Sequence, residues 1–245
     1  MGCVPNEGPI PGVSIPFLGV LATDATALTA ASAASSFVAN TIQNPTYRTA
    51  AGFSSGGPRF GDSALRPNVT APGVSIFSTA VGTGNGGLYE SGTSMATPHI
   101  AGVAALVRQA HPKWDEAAQR AAVVDTADPA QLLDYAPRIE GAGLVQPVGA
   151  TKTQAVVLGD DSPPGGGQEQ EGTPRGLSFG FDEFTKDFQA TRAVTVHNYG
   201  SSRIVFKTTT TAVGGSPHSA HLSDSSLSLG PHEAARATPI STPGV

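Results

Sequence analysis

The chain has 245 residues, enough for between one and two domains with a buried core, and carries a net charge of -5 with only 13% charged residues. Glycine (30) and proline (20) describe a turn-rich surface, while hydrophobic residues at 39% exclude wholesale disorder. No cluster of Lys and Arg is present to track phosphates, which sets nucleic acid aside; no apolar run approaches the ~18–20 residues that cross a bilayer; and the single cysteine, Cys3, excludes an intrachain disulfide framework and a cysteine-based zinc site.

At the N-terminus the first basic residue is Arg48, so no secretion signal is expected, and Asn6 stands where a myristoylation pattern beginning Met1-Gly2-Cys3 needs Ser or Thr. Met1 therefore reads as an arbitrary start within a larger gene. Residues 9–12 predict a turn, 15–21 a short apolar strand, and the alanine-rich stretch to residue 34 a helix capped by Thr23 or Asp24. Residues 36–52 read as a second strand region leading to the loop Phe53-Ser54-Ser55-Gly56-Gly57-Pro58. Residues 65–73 and 74–81 follow, the second a β-branched apolar run suited to a buried strand.

The strongest helix is predicted from Ser94 to about His111, because Met95, Ile100, Val103, Leu106 and Val107 recur near the helical period, with Pro98 expected in its first turn. A second helix over residues 114–126 is entered through Pro112 and ends before Pro129. Residues 161–175 have almost no apolar side chain and predict a linker. Beyond it the period changes to two in residues 177–184, 193–197 and 203–208, with the turn at 198–202 expected to join the last two as a hairpin. No internal repeat at a period of 20–50 residues is visible.

Chemistry concentrates in residues 90–107, ESGTSMATPHIAGVAALV. A serine hydroxyl is a weak nucleophile, and Ser94 at the mouth of a helix sits near the positive end of the macrodipole. The first amides of a helix have no intrahelical acceptor, so the Ser94 N–H is free to donate to an oxyanion as half of an oxyanion hole. Gly92 is expected to let the chain turn sharply and a substrate backbone approach, with Thr93 beside it in the same loop. The plainer alternative is that Ser94 only caps a helix.

Gly92-Thr93-Ser94-Met95-Ala96-Thr97-Pro98-His99 resembles, throughout its length, the nucleophile signature G-T-S-M-A-x-P-H of the subtilisin-like serine proteases. The loop at 53–58, Arg66-Pro67-Asn68-Val69-Thr70-Ala71-Pro72-Gly73 and Gly141-Ala142-Gly143-Leu144-Val145 are similar to segments flanking that nucleophile, although Asn68 stands where Asp is usual. The resemblance covers about residues 50–150. It implies an α/β fold: an incomplete subtilisin-like parallel-sheet domain followed by a smaller all-β sandwich-like module. Residues 1–35 would be a remnant of a protease-associated insert, 36–158 the C-terminal part of the catalytic domain, 159–175 a linker, and 176–245 a fibronectin-III-like module cut short. It further implies a serine endopeptidase acting on polypeptides through an acyl-enzyme on Ser94, with Gly92 and Thr93 forming the nucleophile loop. No cofactor is implied; structural calcium occurs in the family, but no metal site is identifiable here. The full-length protein is expected to be secreted.

Such a serine needs a general base, and the family supplies an Asp and a His before the Ser. The six histidines here are His99, His111, His197, His218, His221 and His232, all after Ser94. His99 is five residues along the same helix, about 140° around from Ser94, and reads as a packing residue. Asp24 and Asp62 read as a helix start and a loop residue with solvated roles. The base, its orienting Asp and an oxyanion Asn are therefore expected from a missing N-terminal part of the same protease. His218 and His221 have a spacing that suits a metal but lack a third ligand; Asp160-Asp161 reads as solvated linker, and Trp114 and Phe53 as core. Two readings remain open: a subtilisin-like endopeptidase fragment, or a catalytically inactive fragment or extracellular polypeptide-binding module.

Overall fold

A computed structural model describes residues 47–60, 64–159, 190–211 and 225–242. The elements expected over residues 15–46, the linker at 161–175 and the strand at 177–184 lie outside the described residues, and residues 47–52, the end of the strand region expected over 36–52, form turn and irregular chain instead. In chain order the elements are β1 (Ile76–Thr79), β2 (Gly87–Glu90), α1 (Thr93–Ala110), α2 (Glu116–Asp125), a 3-10 turn (Pro129–Gln131), α3 (Pro137–Glu140), α4 (Pro147–Lys152), β3 (Ala155–Gly159), β4 (Ala190–Asn198), β5 (Ile204–Lys207), β6 (Ser226–Leu229) and β7 (Ala234–Thr242). The content is mixed helix and small sheets.

The two long helices, α1 and α2, form where the sequence predicts them, whereas the short α3 and α4 are not among its predicted elements. α2 begins because the Asp115 side chain accepts from the Ala118 amide at 2.8 Å, satisfying one of the free N-terminal donors. It packs against α1, α4 and β3. Their contact is a single core of Val103, Val107, Ala118, Ala121, Ala122, Val123, Val145, Ala150 and Val156. Four alanines in that set allow short interhelical distances. Trp114 packs against this core, stacked on His111 at 3.9 Å and tilted on Tyr199 at 4.5 Å. Phe53, expected in the core, is 53% exposed.

Strand pairing departs from the sequence reading. The named strands pair antiparallel, and the one parallel pairing among the described residues is the isolated bridge of Thr70 to Leu144. Residues 65–73 thus contribute a bridge rather than a strand. β1 pairs with β2 and is open to solvent instead of buried; Phe77 and Tyr89 cover each other, with ring centroids 4.9 Å apart. The hairpin expected across 198–202 does not form. β4 pairs with β3 and β7, while β5 pairs with β6. The physical cause is Asn198, whose buried side chain accepts from the Gly200 amide and donates to the Ser202 and Gly230 carbonyls, each within 2.9 Å. Those bonds turn the chain out of one sheet and into the other.

β3 precedes the expected linker and β4 follows it, yet they pair from Ala155↔Asn198 to Gly159↔Val194. Val156 in β3 belongs to the helical core. The helices and the three-stranded sheet therefore share a boundary through one strand.

Candidate functional site

Ser94 is the second residue of α1 and is exposed. Gly92 caps the helix through its backbone, its carbonyl accepting from the Met95 amide at 3.0 Å and the Ala96 amide at 3.4 Å. Among the described residues the Ser94 amide and hydroxyl have no hydrogen-bond partner, so neither is used up as a cap. Ser94 presents one donor N–H and one hydroxyl at the positive end of an 18-residue helix. Thr93, also exposed, accepts at its carbonyl from the Thr97 hydroxyl at 2.9 Å.

Two details of the expected geometry change. Pro98 lies in the second turn of α1 rather than the first, since the helix already starts at Thr93. A proline there removes the amide that would bond the Ser94 carbonyl, which leaves that carbonyl without its helical partner. Gly92 is extended, with φ 167°, and a Cβ on it would meet only ordinary contacts, the Met95 sulfur at 3.5 Å being nearest. The sharp steric demand falls instead on Gly73, where a Cβ would meet the Gly92 carbonyl oxygen at 2.8 Å.

The stretch before the helix is knitted to Gly141-Ala142-Gly143-Leu144-Val145. Asn68 O accepts from Ala142 N at 2.8 Å, Thr70 N donates to Gly143 O, and Val145 N donates to Thr70 O, the last two at 2.9 Å. Gly141 has φ 59° and a Cβ there would lie 2.3 Å from the Asn68 carbonyl, so a glycine is required. The Tyr135 hydroxyl donates to Gly141 O at 2.5 Å, and its pKa is raised by burial and, second, by the nearby Glu140 carboxylate. Glu140 is buried, accepts from Ala136 N through Oε2 and leaves Oε1 without a partner.

None of the described histidines is bonded to Ser94. His99 Nδ1 lies 2.8 Å from the Met95 carbonyl, turned back onto its own helix. His111 Nε2 lies 3.0 Å from Thr151 O, His197 stacks on Tyr199, and His232 sits exposed in the turn before β7. His218, His221, Asp24, Asp62 and Asp160-Asp161 lie outside the described residues. Among the described residues no group of three or more His, Cys, Asp and Glu is placed to hold a metal ion, and no helix is long and apolar enough to cross a membrane. Ser91 and Ser75, bonded to each other beside the helix entrance, carry no sequence signal of their own role.

Residues 11–165 match the family model described as the subtilase family, peptidase S8. The subtilisin-like protease SBT3.7 of Arabidopsis thaliana is 40% identical over 133 residues, covering 45% of this chain and 16% of that protein. The minor extracellular protease Vpr of Bacillus subtilis is 33% identical over 165 residues, covering 62% of this chain and 20% of Vpr. The subtilisin-like protease SBT3 of Solanum lycopersicum is 43% identical over 76 residues, covering 26% of this chain and 10% of that protein. The matched stretch spans a fifth or less of each of these relatives.

Proposed function

The chain belongs to the subtilase family, whose members are serine endopeptidases, and from that membership we propose that Ser94 is the nucleophile of a peptide-bond hydrolase that forms an acyl-enzyme on its hydroxyl. The observation that carries the reading is the exposed Ser94 in the first turn of α1, with both its amide and its hydroxyl free among the described residues. In this role Ser94 Oγ attacks the scissile carbonyl, and the Ser94 N–H donates to the oxygen that becomes negative, one of the two donors of an oxyanion hole. Gly92 and Thr93 form the loop against which the substrate backbone lies.

The proton on Ser94 Oγ has to pass to a base, and no described histidine is directed at it. The base and its orienting carboxylate come, in this reading, from sequence outside these 245 residues, together with the second oxyanion donor. Residues 1–35 then form an insert remnant and residues 176–245 a fibronectin-III-like module, and the whole protease acts outside the cell, as the name of the Bacillus relative says of that protein. The 245-residue chain by itself is accordingly a poor catalyst.

The test is a fluorophosphonate probe on the purified chain and on the chain extended upstream to include the Asp- and His-bearing segments. Slow labelling of the first, rapid labelling of the second and loss of both labelling and casein hydrolysis in Ser94→Ala are expected. Labelling of the extended protein that survives Ser94→Ala would remove Ser94 from the nucleophile role.

A further inference from the structure

The entrance to α1 is tethered from outside the helix by two bonds to one short stretch of chain. Gly92 N donates to Gly73 O at 2.8 Å, and Ser75 N donates to Ser91 Oγ at 2.8 Å. The first joins backbone to backbone and uses no side chain. The second depends on a hydroxyl at position 91. Ser75 holds φ 53°, a conformation that residues with a side chain seldom adopt, so the chain is bent at the point where its amide meets Ser91. Gly73 permits the approach, since a Cβ there would press on the Gly92 carbonyl at 2.8 Å and on Ala96 Cβ at 3.2 Å. Residue 70 is in turn fixed to Gly143 and Val145, so the tether ends on an anchored stretch.

Resting on the nucleophile role of Ser94, we propose that Ser91 is a positioning residue: its hydroxyl fixes the register between residues 73–75 and the helix entrance, and thereby the direction of the Ser94 amide and hydroxyl. Ser91 itself touches no reacting atom. Its bond to Ser75 is exposed and neither serine belongs to the buried core, so its loss frees the turn without unfolding the molecule. That separates positioning from bulk stability.

The experiment compares the 15N-labelled 245-residue chain with its Ser91→Ala, Ser91→Thr and Ser94→Ala variants by NMR, following amide exchange, the Ser94 amide resonance and the melting temperature. In Ser91→Ala, exchange at Ser75 and Gly92 is expected to quicken about fivefold or more and the Ser94 amide to shift, while exchange within α2 and the melting temperature stay unchanged. Ser91→Thr, which restores the hydroxyl, is expected to keep the parent pattern. Ser94→Ala leaves the Ser75 and Gly92 exchange rates as they are, so the tether can be judged whether or not Ser94 is a nucleophile. Unchanged exchange at Ser75 and Gly92 or an unmoved Ser94 amide in Ser91→Ala, acceleration spread evenly through α2, or failure of Ser91→Thr to keep the parent pattern would overturn the proposal.

Discussion

At single residues, what a side chain can do is set by what its backbone and neighbours have already bonded. Ser94 is available because Gly92 caps α1 with its own carbonyl, and His99 is withdrawn because its ring bonds Met95 O. Asp125, the last residue of α2, shows the same control acting on a titration. Its Oδ2 accepts from Val157 N at 2.7 Å, yet crowding by protein atoms pushes the carboxyl up to about 6, the Val157 bond opposing. A carboxyl raised above its unfolded value of 3.8 favours a protonated folded state, so its contribution to stability is fully present below about 3.8 and lost as pH rises through about 6. The residue is exposed, and screening by water keeps the effect small. The Asp125 carboxyl carbon should titrate in NMR with a midpoint above 3.8, and Asp125→Asn should flatten the slope of stability against pH across that window. A midpoint at or below the ordinary value would show that the Val157 bond outweighs the crowding.

Elements stand here on local signals reinforced by packing. α1 carries only Val103 and Val107 fully into the core, with Leu106 48% exposed, so the helix is apolar around more of its circumference than the described neighbours cover. α2 depends more on its first turn. Asp115→Ala removes the acceptor of the Ala118 amide and should cost about 1 kcal/mol, read as a lower denaturant midpoint at unchanged slope, whereas Asp115→Asn should cost less. Equal losses from the two substitutions would mean that the carboxylate charge near the helix N-terminus, rather than the capping bond, is what matters.

At the scale of the whole molecule, β3 ties the helices to the sheet that follows. Val156 is 1% exposed within the helical core, while the same strand pairs with β4, and Tyr199 at the end of β4 returns to Trp114. A chain ended after Gly159 loses the β4 partner of β3 and the Tyr199 contact together. Its helical part should melt at a lower temperature than the same part in the full chain, monitored by Trp114 fluorescence. Coincident melting would show that the helices are independent of β4 and β7.

α1 and α2 to within two residues, the position of Ser94 at a helix start and the resemblance that the family match bears out were all legible in the sequence, because period, caps and a contiguous motif are local properties written in adjacent residues. Strand pairing was not legible, since a period of two shows that a strand exists and not which partner it takes; the side chain of Asn198, bonding as far away as Gly230, sent β5 to β6 instead of back to β4. Nor was the demand on Gly73 visible, or the bond of Ser75 to Ser91. Only folding brings the Gly92 carbonyl within 2.8 Å of a Cβ at Gly73, and only there does a serine three positions before Ser94 acquire a partner. Contacts between residues distant in the chain are fixed by how elements pack, and the residues that make them look ordinary until they meet.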